Sequence, residues 1–364
     1  MKIDFGNIFL TKIFFDEVQM LIKKTYLKSR IFKINLIILI LLSFCSITFA
    51  QVTKEKEAKL WELRNSEIQS HYQEGNLDEA LIVSKKSLKI AESAFGSDSW
   101  QSISSLMHLA QIQFDLDLLE EANQSYELAL ERSLNVFGEK ANETLDVLDK
   151  YGEFLNAIDP EAGSPVLKES LRLTSNDDPK RASRLLALGL NLIEIGEITE
   201  AEEMLVESVK IYKKNLGEDN SKTLIAMVRL GQLYHYKGES KSAVVLFEKT
   251  LPLMEKTFEE NNFLILESKE NLAEIYRLQG KYSLSEKLFL ESLQGAIKEF
   301  SDDDIFVLQI KSHLAQLYED TGKLNESLSL HEQVYKMEMK SLGEMHPNSA
   351  GNLNNLASVH RRLG

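Results

Sequence analysis

A glycine recurs along this chain at a fixed step of 42 residues. The glycines are Gly196, Gly238, Gly280, Gly322 and Gly364. Each has a leucine eight positions before it, and the residue after that leucine is always glycine or alanine. The leucines are Leu188, Leu230, Leu272, Leu314 and Leu356. A period of this length is typical of structural repeats that stack side by side, so it limits the fold more than any other feature.

The register extends toward the N-terminus, with one irregular unit. Gly75 and Ala80 are matched 42 residues later by Asp117 and Ala122. The next turn position falls at Asp159, and the glycine after it follows at a shorter step of 37 residues. We therefore expect a repeat array over residues 57–364, with seven units and a half unit. The third unit is predicted to be degenerate, having lost its motif and about five residues.

Each unit has the pattern of two helices. In the fourth unit, apolar residues three or four positions apart form one helical face. These residues are Ala201, Leu205, Val209, Tyr212 and Leu216. The small residue beside each leucine allows two helices to approach closely, and the glycine is expected to end the first helix in a left-handed conformation. Because one hairpin cannot bury its own apolar face, the pattern predicts an all-α solenoid of stacked hairpins.

A polar residue is expected to cap the second helix of each unit. Thr199 with Glu202, and Ser283 with Glu286, have the spacing of capping boxes. These positions predict that the second helices begin immediately after Thr199 and Ser283.

The motifs resemble those of the tetratricopeptide repeat, in the 42-residue form of kinesin light chains. The resemblance is carried by Leu-Gly-Gln-Leu-Tyr at 230–234, Leu-Ala-Glu-Ile-Tyr at 272–276, Leu-Ala-Gln-Leu-Tyr at 314–318, and the linker and helix start at 342–357. It implies a right-handed superhelix that binds peptides or proteins in a concave groove, and it names no partner.

The first 50 residues have a different composition. An apolar run at 34–44 follows Lys23, Lys24, Lys28, Arg30 and Lys33, and small residues lie near Ala50. This layout predicts a secretory signal peptide at 20–50, an upstream extension at 1–19, and a linker at 51–56. Translation start at Met1 or at Met20 stays open. We expect an exported protein, periplasmic or secreted, without membrane attachment after cleavage. The alternative is anchoring by an uncleaved N-terminal segment.

Charge and motif content exclude several classes of function. The formal net charge is −14, and removal of residues 1–50, with seven Lys/Arg and three Asp/Glu, shifts it to −18. Such an acidic chain is not expected to bind nucleic acid. No catalytic or metal-binding motif is recognisable, so we predict no enzyme activity and no cofactor. His331 falls where Phe247 and Phe289 lie in earlier units, which favours a packed position over a ligand role.

The resemblance places the binding groove on the first helix of each unit. Amide side chains there can bond to a peptide backbone, and arginines can bind carboxylates. Arg229, Arg277 and Arg361 share this surface with Glu270 and Glu319. Such a mixture of both charge signs favours sequence-selective binding over attraction to a surface of uniform charge. The candidate residues are Asn65, Gln69, Tyr72, Gln111, Phe114, Arg229, Gln232, His235, Asn271, Glu274, Arg277, His313, Gln316, Asn354, Asn355 and Arg361.

Three functions are compatible with these features. The first is a non-enzymatic, exported scaffold that binds a peptide or protein. The second is the regulatory N-terminal part of a longer enzyme or sensor, with a CHAT-like peptidase or signalling domain beyond residue 364, as the resemblance implies. The third is a spacer that self-associates through its open C-terminal end, where Leu353, Leu356 and Val359 form an apolar face without a following helix.

Overall fold

The computed structural model describes residues 30–341 and 347–364, and every regular element in these ranges is an α-helix. The helices are α1 (Arg30–Gln73), α2 (Leu77–Phe95), α3 (Trp100–Asp115), α4 (Leu119–Phe137), α5 (Asn142–Ile158), α6 (Pro160–Leu173), α7 (Arg181–Glu194), α8 (Ile198–Leu216), α9 (Ser221–Tyr236), α10 (Ser240–Thr257), α11 (Phe263–Leu278), α12 (Tyr282–Glu299), α13 (Ile305–Asp320), α14 (Leu324–Ser341) and α15 (Pro347–Leu363). Odd-numbered helices are the A helices of the repeats, and even-numbered helices are the B helices.

Consecutive helices form the hairpins that the period predicts. A and B helices pack in pairs, α1 with α2 and then each pair from α5 with α6 to α13 with α14, and α15 packs on α14. The chain forms two compact units, one up to Arg132 and one from Ser133 to Gly364. Within the second unit each hairpin packs on the next, as in an all-α solenoid.

Helix α1 runs without a break from Arg30 to Gln73, so the segment expected to be a linker, 51–56, is helical. The expected extension at 1–19 and the first part of the expected signal peptide lie outside the described residues. No helix in the described ranges combines the length and apolar character needed to span a membrane.

The recurring glycine ends its A helix as predicted. Gly238 has φ 76°, and its N–H donates to the carbonyl of His235 at 2.9 Å while Glu239 N–H donates to Tyr234 at 2.8 Å. This bond pair is a Schellman motif, which satisfies carbonyls at the helix end. Asp117 takes the same left-handed conformation, with φ 60°, at the position where the second repeat lacks a glycine.

The predicted caps of the B helices are wrong. Helix α8 begins at Ile198 and α12 at Tyr282, so Thr199 and Ser283 lie inside the first turn. The Schellman turn is so short that the helix starts two residues after the glycine, and no cap bond comes from the Glu197 or Lys281 side chain. Side-chain caps occur instead at several A helices, for example at α13, where Asp304 accepts from Phe306 N–H at 2.8 Å. Among the B helices, α6 is capped by Asp159, which accepts from Glu161 N–H at 3.0 Å.

The repeated leucines form the core of the array. They are all buried, between 2% and 9% exposed. The small residues beside them keep the hairpin tight: a Cβ on Gly231 would lie 3.1 Å from Phe247 Cζ, and one on Gly189 would lie 2.8 Å from Leu205 Cδ2. The prediction of close helix approach is confirmed at both glycines, because each lies where two helices are in contact.

The third repeat is shorter than the others because its B helix and the turn before that helix are shorter. Only Asp159 separates α5 from α6, and α6 has 14 residues against 19 in α8. The expectation that this repeat lost its whole motif is wrong at one position. A Cβ on Gly152 would lie 2.6 Å from Leu167 Cδ2, so the small residue at the hairpin contact is kept.

A buried arginine joins the third repeat to the fourth. The side chain of Arg184 on α7 is 2% exposed. It donates to both carboxylate oxygens of Asp149 on α5 at 3.0 Å, and to Asp178 and Thr174 in the connecting segment at 3.1 Å. Burial opposes the charge, but the bonds to Asp149 and the attraction of Asp178 raise the pKa of Arg184 above its usual range. The sequence pattern did not predict this cluster.

Candidate functional site

Successive A helices of the second unit are joined by charged side chains. Arg229 on α9 donates from Nη1 to both oxygens of Glu267 on α11, at 3.0 and 3.2 Å. It also donates to Gln232 at 2.8 Å on its own helix. The guanidinium that was expected to bind a ligand carboxylate is therefore bound by a carboxylate of the next repeat.

The same arrangement continues from α11 to α13. Arg277 binds Glu274 on its own helix, with two bonds of 2.8 Å, and also binds Asp320 on α13. Glu270, only 2% exposed, contacts Nδ1 of His313 on α13. On α15, Ser358 and Arg362 both donate to Glu319 of α13 at 3.0 Å. These contacts order the A-helix surface before any ligand binds.

Between α9, α11 and α13 lies a cavity of about 640 Å³, which we call the A-face cavity. Its lining has three carboxylates and one imidazole, and no lysine or arginine. The lining residues are Gln232, His235, Tyr236, Phe263, Glu267, Glu270, Asn271, Asp304, Ile305, Phe306 and Gln309. A smaller cavity of about 280 Å³ between α13 and α15 shares Ile305 and Gln309 with it.

Apolar side chains stand exposed around the A-face cavity. Tyr236 is 72% exposed, Ile305 70% and Phe263 43%. The Phe263 ring packs edge-to-face on Phe306 and Phe300, with centroids 4.9 and 6.1 Å away, so its position is held by the two neighbouring rings. An exposed apolar rim beside buried polar groups is typical of a site that contacts another molecule.

Neighbouring charges determine the protonation of two groups beside the cavity. Burial alone would lower the pKa of His313, but its contact with Glu270 outweighs burial and raises that pKa above its usual value. Burial alone would raise the pKa of Glu274, but the hydrogen bond from Arg277 and the nearby imidazoles hold it below its usual value. Glu274 is therefore a carboxylate at neutral pH, and its charge is paired with that of Arg277.

The predicted candidates of the second unit fall into three groups. Gln232, His235 and Asn271 line the A-face cavity, and His313 and Asn355 line the smaller one. Arg229, Glu274 and Arg277 lie in the ion-pair network beside them. Gln316 is half-buried on α13, while Asn354 and Arg361 are exposed on α15.

In the first unit, two of the predicted site residues bind the same carboxylate, and a third forms a hydrogen bond elsewhere. The Tyr72 hydroxyl and the Gln111 amide both donate to Asp115, at 2.7 and 3.0 Å, which joins α1 to α3. Asn65 instead accepts from Ser87 on α2 at 2.9 Å, so its amide oxygen is engaged within its own hairpin. Gln69 is exposed and Phe114 is half-buried.

Sequence reasoning missed several residues that shape the cavity. Glu267, Gln309, Phe263, Ile305 and Tyr236 all contribute to the lining. Phe263 and Ile305 are the first residues of their helices, and a large apolar residue directly after an Asn or Asp cap was the signal that could have indicated them. Within the described ranges, no group of three metal-ligating side chains comes together.

Family comparison agrees with the repeats seen in the structure. Family models described as tetratricopeptide repeat match residues 181–256 and 264–337, and a further one matches 103–135. Together these matches cover about half of the chain. No curated protein matches the sequence.

Solved structures with similar folds have low sequence identity. BtubC (BKLC) from P. vanneervenii is 14% identical, with a TM-score of 0.56, and the match covers 61% of this chain and 92% of that one. A tetratricopeptide repeat protein from Parabacteroides merdae is 16% identical, with a TM-score of 0.52, covering 82% and 98%. The apo form of RapI is 14% identical, with a TM-score of 0.55, covering 77% and 98%. At such identities the likeness shows the fold alone.

Proposed function

Because the chain belongs to the tetratricopeptide-repeat family, with the 42-residue step of its kinesin-light-chain-like type, we propose that it is a non-enzymatic scaffold that binds a peptide segment on its A helices. The A-face cavity supports this proposal. It combines exposed Tyr236 and Ile305 with acidic and amide groups held in place by inter-repeat contacts. A prearranged surface loses little entropy on binding.

The cavity lining favours a particular kind of segment. Glu267 is already paired with Arg229, and Glu270 with His313, whereas no ion pair to Asp304 forms among the described residues. Asp304, in a lining without lysine or arginine, therefore favours a basic side chain of the ligand. The exposed apolar rim favours an aliphatic or aromatic residue beside it. Gln232, Asn271 and Gln309 can bond to the backbone of an extended segment.

Selection from a random peptide library on the purified chain tests this function. We expect the selected peptides to be enriched in Lys or Arg next to an apolar residue. Replacing both Tyr236 and Ile305 with alanine is expected to weaken the best peptide about tenfold or more, since anchors at a cavity rim contribute at least about 1.4 kcal/mol. Fluorescence anisotropy with the labelled peptide measures the change.

A matched control is the Leu290→Ala/Ile297→Ala double variant on α12, whose side chains are 45% and 46% exposed away from the cavity lining. It should change the affinity less than about twofold. Equal loss in both double variants would place the binding surface elsewhere. Enrichment of acidic peptides would contradict the proposed ligand chemistry.

We further propose that the protein is exported. The support is the sequence at residues 23–50, where basic residues precede an apolar run and small residues. Expression in a bacterial host followed by N-terminal sequencing of the exported fraction should give a chain starting at Gln51. Recovery of the chain in the cytosol with its first residues intact would refute export, and membrane recovery of an uncleaved chain would favour the anchored alternative.

A further inference from the structure

A second groove lies on the B helices of the fourth and fifth repeats. A cavity of about 750 Å³ opens between α8 and α10, with Leu230 and Tyr234 of α9 in its lining. On the other side of α10 a cavity of about 820 Å³ shares Lys241, Ser242 and Val245 with the first. The N-terminal half of α10 therefore stands as a ridge between two hollows, which together we call the B-face groove.

The B-face groove exposes branched apolar side chains to solvent. Val245 on the ridge is 63% exposed, and Val206 on α8 is 42% exposed. Both line the same hollow, together with Val209 and Leu246. Single exposed apolar residues are ordinary, but a concave group of them provides a contact surface for other apolar side chains.

The charge of the first hollow is opposite to that of the chain. The whole protein has a formal net charge of −14, yet the first hollow is lined by Lys210, Lys213 and Lys241 and by no carboxylate. Lys213 binds Glu218 at 2.6 Å. No carboxylate among the described residues forms an ion pair with Lys210 or Lys241, and both are exposed. The second hollow is lined by Lys281, which lies over the Tyr276 ring at 4.9 Å, and by Glu239, which pairs with Lys237 at 2.7 Å.

We propose that the B-face groove binds an amphipathic α-helix of a partner protein, one with acidic and aliphatic side chains on the face that docks. Aliphatic side chains would enter the two hollows beside Val245, and carboxylates would pair with Lys210 and Lys241. Helix-in-groove docking relies on this combination of apolar anchors and complementary charge. None of the residues that line the B-face groove lines the A-face cavity, so the site is independent of the function proposed above.

The concave shape favours a helix over a lipid surface. An anionic bilayer also attracts lysines and apolar groups, but it presents a broad surface, and protein segments that enter it protrude. Here the apolar residues Val209, Leu230 and Leu246 line recessed hollows. Side chains that project from a helix can reach such recesses.

The test uses a synthetic, labelled helical peptide with leucines at i, i+3, i+4 and i+7 and glutamates at the flanking positions. We expect it to bind the full chain, with affinity that falls as salt increases. Two comparison peptides have the same length: one scrambles the leucine positions, and one replaces every glutamate with lysine. Both should bind at least tenfold more weakly. Vesicles of phosphatidylglycerol form a separate arm.

Two charge-reversal variants locate the site. Lys210→Glu/Lys241→Glu should weaken the peptide at least tenfold. Lys287→Glu/Lys298→Glu on α12 changes the net charge equally and should have less than a twofold effect. Val245→Ser, at an exposed position, should also weaken binding while circular dichroism stays unchanged. The proposal is overturned by equal effects of both lysine pairs, by binding of the scrambled peptide, by no measurable peptide binding, or by lysine-dependent vesicle binding in its place.

Discussion

Replacing Arg184 with alanine is expected to destabilise the second unit by about 3–5 kcal/mol, the range typical of removing one partner from a buried ionic cluster. The Arg184 side chain is 2% exposed, and Asp178 is 10% exposed. Without the guanidinium, the carboxylates of Asp149 and Asp178 lose their buried cation, and burial already raises the pKa of Asp149. The substitution therefore combines lost hydrogen bonds with buried charge that nothing balances.

Urea unfolding followed by circular dichroism measures the total effect, and hydrogen exchange shows where it falls. Since repeats in a solenoid contact only their neighbours, protection should fall most in α5, α6 and α7, and least in α13 and α14. A uniform loss along the second unit would contradict a local joint between the third and fourth repeats.

The matched control is Arg172→Ala on α6. Arg172 pairs with Glu169 at 2.6 Å, but both side chains are largely exposed, 63% and 44%. Exposed pairs gain little from their attraction because water screens it, so we expect no measurable shift of the urea midpoint. If both arginine variants shift the midpoint equally, burial of the Arg184 cluster is not what stabilises this joint.

Replacing His331 with phenylalanine is expected to stabilise the C-terminal repeats by about 1–3 kcal/mol, the cost of a buried polar group without a partner. His331 is fully buried on α14, and neither ring nitrogen makes a hydrogen bond of normal geometry, although the nearby Asn352 side chain offsets part of the effect of burial on its pKa. The burial predicted for this position is confirmed. Phenylalanine should fit, because Phe289 occupies the equivalent position in the sixth repeat and is also fully buried.

The stabilisation should grow as the pH falls. Burial holds the pKa of His331 below its usual value, so the folded chain keeps a neutral imidazole. Below about pH 6.5 the unfolded chain takes up a proton that the folded chain excludes. The native protein therefore loses stability as the pH falls through that range, and the phenylalanine variant lacks this loss. Thermal unfolding at about pH 8 and about pH 5 measures the difference between the two proteins.

His360→Phe is the control, since His360 lies exposed on α15. It should leave the unfolding midpoint and its pH dependence unchanged. A His331→Phe variant that unfolds more easily than the native chain would show that the imidazole has a partner or that the seventh repeat cannot accept the larger ring.

Much of this fold could be predicted because its determinants are local and repeated. Gly238 ends α9 where the period places it, and Leu230 is buried beside Gly231, which contacts Phe247. Each copy of the motif supports the others, so one unusual residue such as Asp117 does not obscure the pattern. The caps at Thr199 and Ser283 were wrong because a capping box is a short pattern, and the turn geometry beside it decided where the helix begins.

For the candidate site, the sequence predicted which helix surface carries it but not which of its charged side chains pair with one another. The A helices and several of their residues, such as Gln232 and Asn271, could be assigned from the period, because the repeat register fixes which helix face a residue occupies. The partners of its charged groups depended on stacking. Arg229 meets Glu267, Glu270 meets His313, and Arg277 meets Asp320 across about 40 residues of chain, between helices whose charges vary from repeat to repeat. Periodicity specifies where such side chains lie, while only the packed helices decide which of them neutralise one another and which remain for a ligand.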